Sequence, residues 1–305
     1  MSKVMSMKEA IKRFIKNGMT IYISGFTHLI GYAAAHEIIR QEVKDLTICR
    51  PTPELLVDEM VAAGCVKKTV FSWAGNPGVG SLRSIRRAVE KGIPHKIEVE
   101  EYDHFSFAAR VYAGAMGIPF MPIRNLFGSD LSKYNKKIKF IECPYTRQKI
   151  CVVPALNPDV AIIHVQRADE EGNAQVWGIT GLTKHIAFAS SKVIITCEEI
   201  VESEIIKRDP NRTLIPGFKV DAVVEEPFAA HPSYAQGYYY RDNDYYRMYD
   251  EISKDEKKLE EFLEEWIYSV ENRQEYIKKL GVEKLLKLLV KPYYSYPVNF
   301  GRIGR

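Results

Sequence analysis

"NGMTIYISGFTHLIG", residues 17–31, is the stretch on which the reading of the fold turns. Asn17-Gly18 closes an amphipathic segment, Thr20 to Ser24 is built from strand-forming residues, and Gly25-Phe26-Thr27-His28 reads as a turn. A strand ending in so permissive a turn has two explanations. Either Gly25 relieves steric strain, or backbone N–H groups and His28 are presented at the carboxyl end of a sheet, where open α/β folds bind their ligands. The segment before it is helical: Met7, Ile11, Phe14 and Ile15 share one face, Ser6 stands at the capping position, and Gly18 follows the last turn.

Outward from this stretch, short apolar runs alternate with helix-length amphipathic segments. A helix around Ala33 to Arg40 precedes a strand at "LTIC". A helix through "ELLVDEMVAAG", a strand at "TVFSW", a helix "SLRSIRRAVEKG" and a strand "KIEVEEY" follow. This ladder predicts an α/β fold: a mostly parallel twisted sheet with flanking helices and right-handed crossovers. A second strand-rich set, "KICVVPAL", "DVAIIHVQRA", "NAQVWG", "KVIITCEEI" and "KVDAVVEE", reads as an antiparallel or mixed extension of the same sheet. Within it, Arg167 to Ala174 carries Gly-Asn between two apolar runs and predicts a hairpin-like reversal.

Past residue 250 the pattern becomes helical. Ser253-x-x-Glu256 reads as a capping box ahead of Leu259, Phe262, Leu263, Trp266 and Ile267. The expected organisation is an α/β domain over residues 1–250 with a helical segment, 251–305, packed on it. Seven tyrosines in the twenty residues 231–250 argue against a flexible linker. They suit a packed surface or an interface.

The 305-residue chain, 46% hydrophobic and 27% charged, has the material for a substantial core. Its 43 basic and 39 acidic residues are spread along the chain, too even a balance to point to nucleic acid. The start lacks the apolar core of a signal peptide, and no run reaches the roughly 18 apolar residues of a membrane span. A soluble cytoplasmic protein without a membrane partner is expected. Cys49, Cys65, Cys143, Cys151 and Cys197 are scattered and never spaced C-x-x-C, and the histidines show no metal-binding spacing. Reduced thiols and no metal are therefore expected.

Two places could carry chemistry. The turn Gly75-Asn76-Pro77-Gly78-Val79-Gly80-Ser81 lies between a predicted strand and a predicted helix, where Asn76, Gly78 and Gly80 could cradle an anion or simply make a tight turn. It is neither a Walker A loop nor a dinucleotide fingerprint. In "IEVEEYDHFSF", alternation puts Glu98 and Glu100 on one face and leaves Glu101 and Asp103 near the strand's end. Glu101 is there either a general base or nucleophile, or a solvated charge. Asp103-His104 reads as an ordinary helix N-terminus.

Asn17-Gly18, the trio Ile21-Tyr22-Ile23 and Ser24-Gly25-Phe26 together resemble the signature of the family I coenzyme A transferases, in which Asp/Asn-Gly precedes an apolar strand and Gly-Gly-Phe. Ser24 replaces the first Gly of that pattern. The resemblance runs nearly the whole chain and is greatest to α-type subunits of the glutaconate kind, through "MSKVM", "GIPFMPIRNLFGSD", "DVAIIHVQRADEEGNAQVWG", "ITCEEIV", "RDP", "VDAVV", "AAHPS" and "YIKKLGVEKLL".

The resemblance implies ping-pong transfer of CoA through a glutamyl-CoA thioester, with CoA thioester as substrate and no permanently bound cofactor. The glutamate of that chemistry lies in a Ser-Glu-Asn-Gly motif on the family's β subunit, and this chain has no such motif. The resemblance therefore implies a β-type partner, an (αβ)n hetero-oligomer and no certain catalytic residue in this chain.

Ser24, Gly25, Phe26, Thr27 and His28 would then wall the cleft over the partner's glutamate, with Phe26 excluding water and backbone N–H groups fixing acyl-CoA and a small carboxylate. For a dicarboxylate such as glutaconate, His28, Arg50 and Arg124 are the candidate cations for its far end, each with a solvated or structural role as the alternative reading. Two alternatives stand beside this one: a CoA-thioester hydrolase or ring-opening enzyme of the same family that uses Glu101, and a non-catalytic binding or scaffold protein.

Overall fold

The computed structural model describes residues 2–290. The opening stretch forms strand β1 (Thr20–Ile23), after helix α1 (Met7–Phe14). A reciprocal capping box closes the start of that helix: the Ser6 side chain accepts the Glu9 N–H, and the Glu9 carboxylate accepts the Ser6 N–H at 3.0 Å. The ladder continues as α2 (Tyr32–Arg40), β2 (Leu46–Cys49), α3 (Glu54–Ala62), β3 (Val66–Phe71), α4 (Arg83–Glu90), β4 (Glu98–Glu101) and α5 (His104–Ala115). The later strands are β5 (Phe120–Ile123), β6 (Lys139–Glu142), β7 (Lys149–Pro154), β8 (Val160–Ala168), β9 (Ala174–Gln175), β10 (Lys192–Ile200), β11 (Thr213–Ile215) and β12 (Ala222–Glu225).

The main sheet runs β4-β3-β2-β1-β8-β10-β12, every one of these pairs parallel. β1 therefore lies between β2, reached through α2, and β8, which arrives more than a hundred residues later. That is a topological switch point, and the crevice of such a sheet opens outside the carboxyl ends of the strands there. β8 is nine residues long and β1 four; Ile23 pairs with Ile162, and past that point Arg167 and Ala168 take β9 antiparallel instead.

The second strand set forms the expected mixed extension of the same sheet, except for one strand. β8, β10 and β12 continue the parallel sheet, β9 and β11 are antiparallel to their partners, and β7 leaves to form a separate antiparallel sheet in the order β5-β7-β6.

Alternation along the strands feeds two cores. Ile21 and Ile23 of β1, with Val160 and Ile162 of β8, pack against α1, α2 and α3, while Tyr22, Ala161 and Ile163 pack against α5 on the opposite face. Each fully buried Ile contributes about 1.5–3 kcal/mol.

The first of these cores also takes Leu259, Phe262, Leu263 and Ile267 from beyond residue 250. The helix there starts at Asp255, whose side chain accepts the Lys258 N–H, and not at Ser253, which instead ends the helix Asn243–Ile252. Of the expected segment 251–305, residues 291–305 lie outside the described residues. The tyrosine-rich stretch resolves in favour of packing: Tyr234, Tyr239, Tyr245, Tyr246 and Tyr249 are all buried. No helix among the described residues is long and apolar enough to cross a membrane.

Candidate active site

Gly25 leaves β1 with φ +101°, and a Cβ at this position would sit 2.6 Å from the Leu29 carbonyl oxygen and 2.7 Å from that of His28. Only glycine lets the chain double back so tightly. Thr27 and Leu29 follow at φ +53° and +52°. For a β-branched and a branched residue these are strained conformations, of the order of 1–3 kcal/mol each, that persist only where the surroundings impose them.

Arg50, at the end of β2, does much of the imposing. Buried to 1% exposure, it donates from Nη1 to the carbonyls of Ile23 (2.6 Å) and Ser24 (2.8 Å), from Nη2 to Gly25 (3.0 Å) and from Nε to Thr52 (3.1 Å). Glu54 holds the turn through the opposite polarity, its Oε1 accepting the Thr27 N–H at 3.0 Å. Burial pushes the Glu54 carboxyl above its usual range, against the pull of the Arg50 charge and the Thr27 hydrogen bond.

His28 is fully buried. Its Nε2 accepts the Gln236 N–H at 3.1 Å, which leaves the proton on Nδ1, 3.3 Å from the Ile179 carbonyl. Burial lowers its pKa to about 4, so the ring is neutral and serves as a tie between three loops. The expectation that His28 faces the cleft, or supplies a cation, is corrected here: burial removes it from the cleft and keeps it uncharged. Arg50 is corrected as a substrate cation for a different reason, since its buried guanidinium is turned onto four backbone carbonyls.

What the turn does present is Phe26, 40% exposed, over a cavity of about 320 Å³ at the switch point. Tyr22, Gly25, Phe26, Pro51, His104 and Tyr112 line it, together with the segment 179–183. His104 begins α5, behind Asp103, which caps that helix by accepting the Ser106 N–H at 3.0 Å, as the sequence suggested. The edge of the Tyr112 ring meets His185 at 4.3 Å between centroids.

Of the proposed binding residues, the structure brings Gly25 and Phe26 to this cavity, beside Tyr22 and His104, and leaves Ser24, Thr27, His28, Asn76, Gly78 and Gly80 outside its lining. Ser24 is buried, its N–H given to the Ile162 carbonyl at 2.9 Å. Asn76, Gly78 and Gly80 belong to a separate turn, closed on itself by the Asn76 N–H donating to Gly80 O at 2.8 Å. Glu101, exposed at the end of β4, lines a different cavity, of about 380 Å³, beside Lys136 and Lys137. Arg124 is exposed beyond β5 and lines neither.

Glu100, expected to share a face with Glu98, is buried. Its carboxylate meets Lys68 Nζ at 2.6 Å and Arg110 Nη1 and Lys137 Nζ at 2.9 Å each. Sequence reasoning missed Glu54, Tyr112 and the 179–183 wall, none of which carries a local motif; their roles come from the topology.

Comparison with known proteins falls in line with this geometry. The family described as Coenzyme A transferase matches residues 4–226. The chain is 44% identical over 284 residues to the A-type subunit of the 3-oxoadipate CoA-transferase of Pseudomonas knackmussii, covering 93% of this chain and 100% of that one. It is 35% identical over 317 residues to the A-type subunit of the glutaconate CoA-transferase of Acidaminococcus fermentans, covering 98% of each. The crystal structure of the glutaconate coenzyme A-transferase from the same organism superimposes with a TM-score of 0.91, at 35% identity, over 95% of this chain and 96% of that one.

Proposed function

The chain belongs to the coenzyme A transferase family, and from that premise we propose that it is the α subunit of a heteromeric acyl-CoA:carboxylate CoA-transferase whose nucleophile is supplied by a β-type partner. The observation that carries this reading is the chemistry of the cavity at the switch point. Among the described residues, none of those lining it is an Asp or Glu. A site built for carboxylate nucleophilic catalysis, with an apolar wall and no carboxylate of its own, is half a site.

In the proposed reaction the partner's glutamate attacks the thioester carbonyl and expels CoA thiolate, leaving a mixed anhydride. The thiolate then attacks the glutamyl carbonyl of that anhydride and releases the first carboxylic acid as its carboxylate. The glutamyl-CoA thioester so formed is attacked by the acceptor carboxylate, and the returning thiolate completes the new acyl-CoA. Both an anhydride and a glutamyl thioester hydrolyse if water reaches them, so the role of this chain is to close the site: Phe26 covers it, and the 179–183 segment and α5 form the remaining walls.

The substrates proposed are short dicarboxylic acids, since the relatives described above are named for 3-oxoadipate and for glutaconate. His28 is neutral, Arg50 is buried against backbone carbonyls and Arg124 lies outside the cavity, so the distal carboxylate is met by the partner's side of the cleft. CoA enters as a substrate, and the heteromer is proposed to work in the cytoplasm.

The test is mass spectrometry of a panel of short acyl-CoAs mixed with free carboxylates, with this chain alone and with a co-purified β chain. CoA passing between carboxylates only when both chains are present is the expected outcome. Free CoA released without a new thioester, and abolished by Glu101→Gln, would replace the transferase reading with a hydrolase.

A further inference from the structure

Glu54 opens α3 directly after the carboxyl end of β2, and three observations set it apart. Its side chain is 1% exposed, yet only Oε1 is used, on the Thr27 N–H; Oε2 has no hydrogen-bond partner among the described residues. Its own backbone is left-handed at φ +55°, as is that of Thr27, the residue it holds. Arg241, 3% exposed, acts electrostatically on the same carboxylate and also keeps Nε and Nη1 without a hydrogen-bond partner among the described residues, while its Nη2 donates to Pro77 O at 3.1 Å.

A single amide N–H can be satisfied by water or by a neutral carbonyl. Burying a carboxylate with an idle oxygen on a strained backbone is a costly way to do the same thing. Such costs are met where a geometry has to be held. The geometry in question is that of the turn, because Arg50 fixes its carbonyls as far as Gly25, and from there to Leu29 the chain passes through two left-handed residues with Phe26 ahead of them. The Leu29 N–H is given to the Tyr234 carbonyl at 2.9 Å, so between that anchor and Gly25 it is the Thr27 N–H that Glu54 holds.

Resting on the reading that Phe26 shields the partner's glutamate from water, we propose that Glu54 is a positioning residue: through the Thr27 N–H it holds the left-handed turn that keeps the Phe26 ring over the cavity. Arg241 itself stacks on the Tyr246 ring at 3.8 Å and reaches the Gly75 turn through Pro77 O.

The experiment uses the heteromer with its β chain and reads how consumed acyl-CoA divides between new thioester and free CoA. Phe26→Ala is expected to raise the free-CoA share; a wild-type division in that variant overturns the reading of Phe26 itself. Glu54→Ala is expected to raise the share by about tenfold or more, the scale of a small misplacement at a reacting centre. Glu54→Gln, whose amide oxygen can still accept the Thr27 N–H, is expected to restore most of the transfer. The double variant Phe26→Ala/Glu54→Ala is expected to leak no more than either single one.

A wild-type division in Glu54→Ala, a Gln variant as leaky as the Ala variant, or additive effects in the double variant would each overturn the role of Glu54 while leaving that of Phe26 standing. If Glu54→Ala does not assemble, Glu54→Asp, which keeps the charge one methylene short of Thr27, is read the same way: leakage supports the role and a wild-type division overturns it.

Discussion

Gly25 and Arg50 show how much of this site is held by backbone conformation and by a side chain turned away from the cavity. The Gly25→Ala side chain would meet two carbonyl oxygens at under 3 Å on a backbone at φ +101°. It is expected to cost about 2–4 kcal/mol, above the usual range for a strained residue because the clash is with backbone. Thermal denaturation of the purified chain measures it, and a melting temperature equal to wild type would show that the turn can relax. Arg50→Lys keeps the charge but loses the fork, and a single ammonium cannot serve four carbonyls arrayed around a plane. Leaving at least one buried carbonyl unpaired, it should destabilise by about 1–3 kcal/mol. The same two residues mark the limit of sequence reading. Gly25 announces its turn because only glycine tolerates it, whereas Arg50 looks like any arginine after a strand until β1 is laid beside β2. His28 misled for a related reason: next to the turn in sequence, it is drawn under it by Ile179 and Gln236, 151 and 208 residues away.

At the scale of elements, the parallel ladder was legible because period-two strands and helix-length segments alternate without ambiguity from α1 to α5. The departure of β7 into its own sheet was not, since "KICVVPAL" has the same apolar character as strands that stay. The misplaced cap has a similar origin: Ser253-x-x-Glu256 and Asp255-x-x-Lys258 overlap, and the end of the helix Asn243–Ile252 uses Ser253 first. Glu100 joins three elements by pairing with Lys68 of β3, Arg110 of α5 and Lys137. Burial pushes its pKa up, but the Lys68 and Lys137 hydrogen bonds and the Arg110 charge outweigh that and hold it at about 2, below the 4.5 of a free glutamate. The folded state therefore binds this proton less readily than the unfolded one. The stabilisation is complete above pH 4.5 and is lost as pH falls from 4.5 toward 2. Its size is on the order of 2 kcal/mol once partial solvent screening is allowed for. Denaturant melts of wild type and Glu100→Gln between pH 7 and 3 check this: the gap between the two should narrow on acidification, and a constant gap would mean that the ion pairs do not set the pKa.

For the whole molecule, the side of the cavity that α5 builds is unusually apolar at its surface. Phe105 is 62% exposed and Met116 69%, with Tyr112 between them on the same helix and Trp73 exposed at the end of β3. Exposed apolar residues on the helix that lines the proposed site suit a surface that a partner covers. Phe105→Lys is expected to leave the stability of the isolated chain within about 0.5 kcal/mol, as surface changes usually do. It should weaken assembly with the β chain by about tenfold or more, as expected of an interface aromatic. Size-exclusion chromatography and titration of the β chain would measure both; unaltered assembly would place the interface elsewhere.

The unequal lengths of β8 and β1 carry a last consequence. Past Ile162 the longer strand has a vacant edge that β9 fills, and the chain then runs through residues 179–183 before the helix Thr183–Ala189 takes it back under the sheet. Both ends of this excursion are moored, one by β-pairing and one by a helix, while its middle contributes nothing to the seven-strand ladder. It behaves as a cassette: with its backbone tied at Trp177 to Gln166 and at Ile179 to His28, its side chains can be exchanged to reshape one wall of the cavity without disturbing the register of any parallel pair. A protein so built can change the shape of its cavity while its folding problem stays the same.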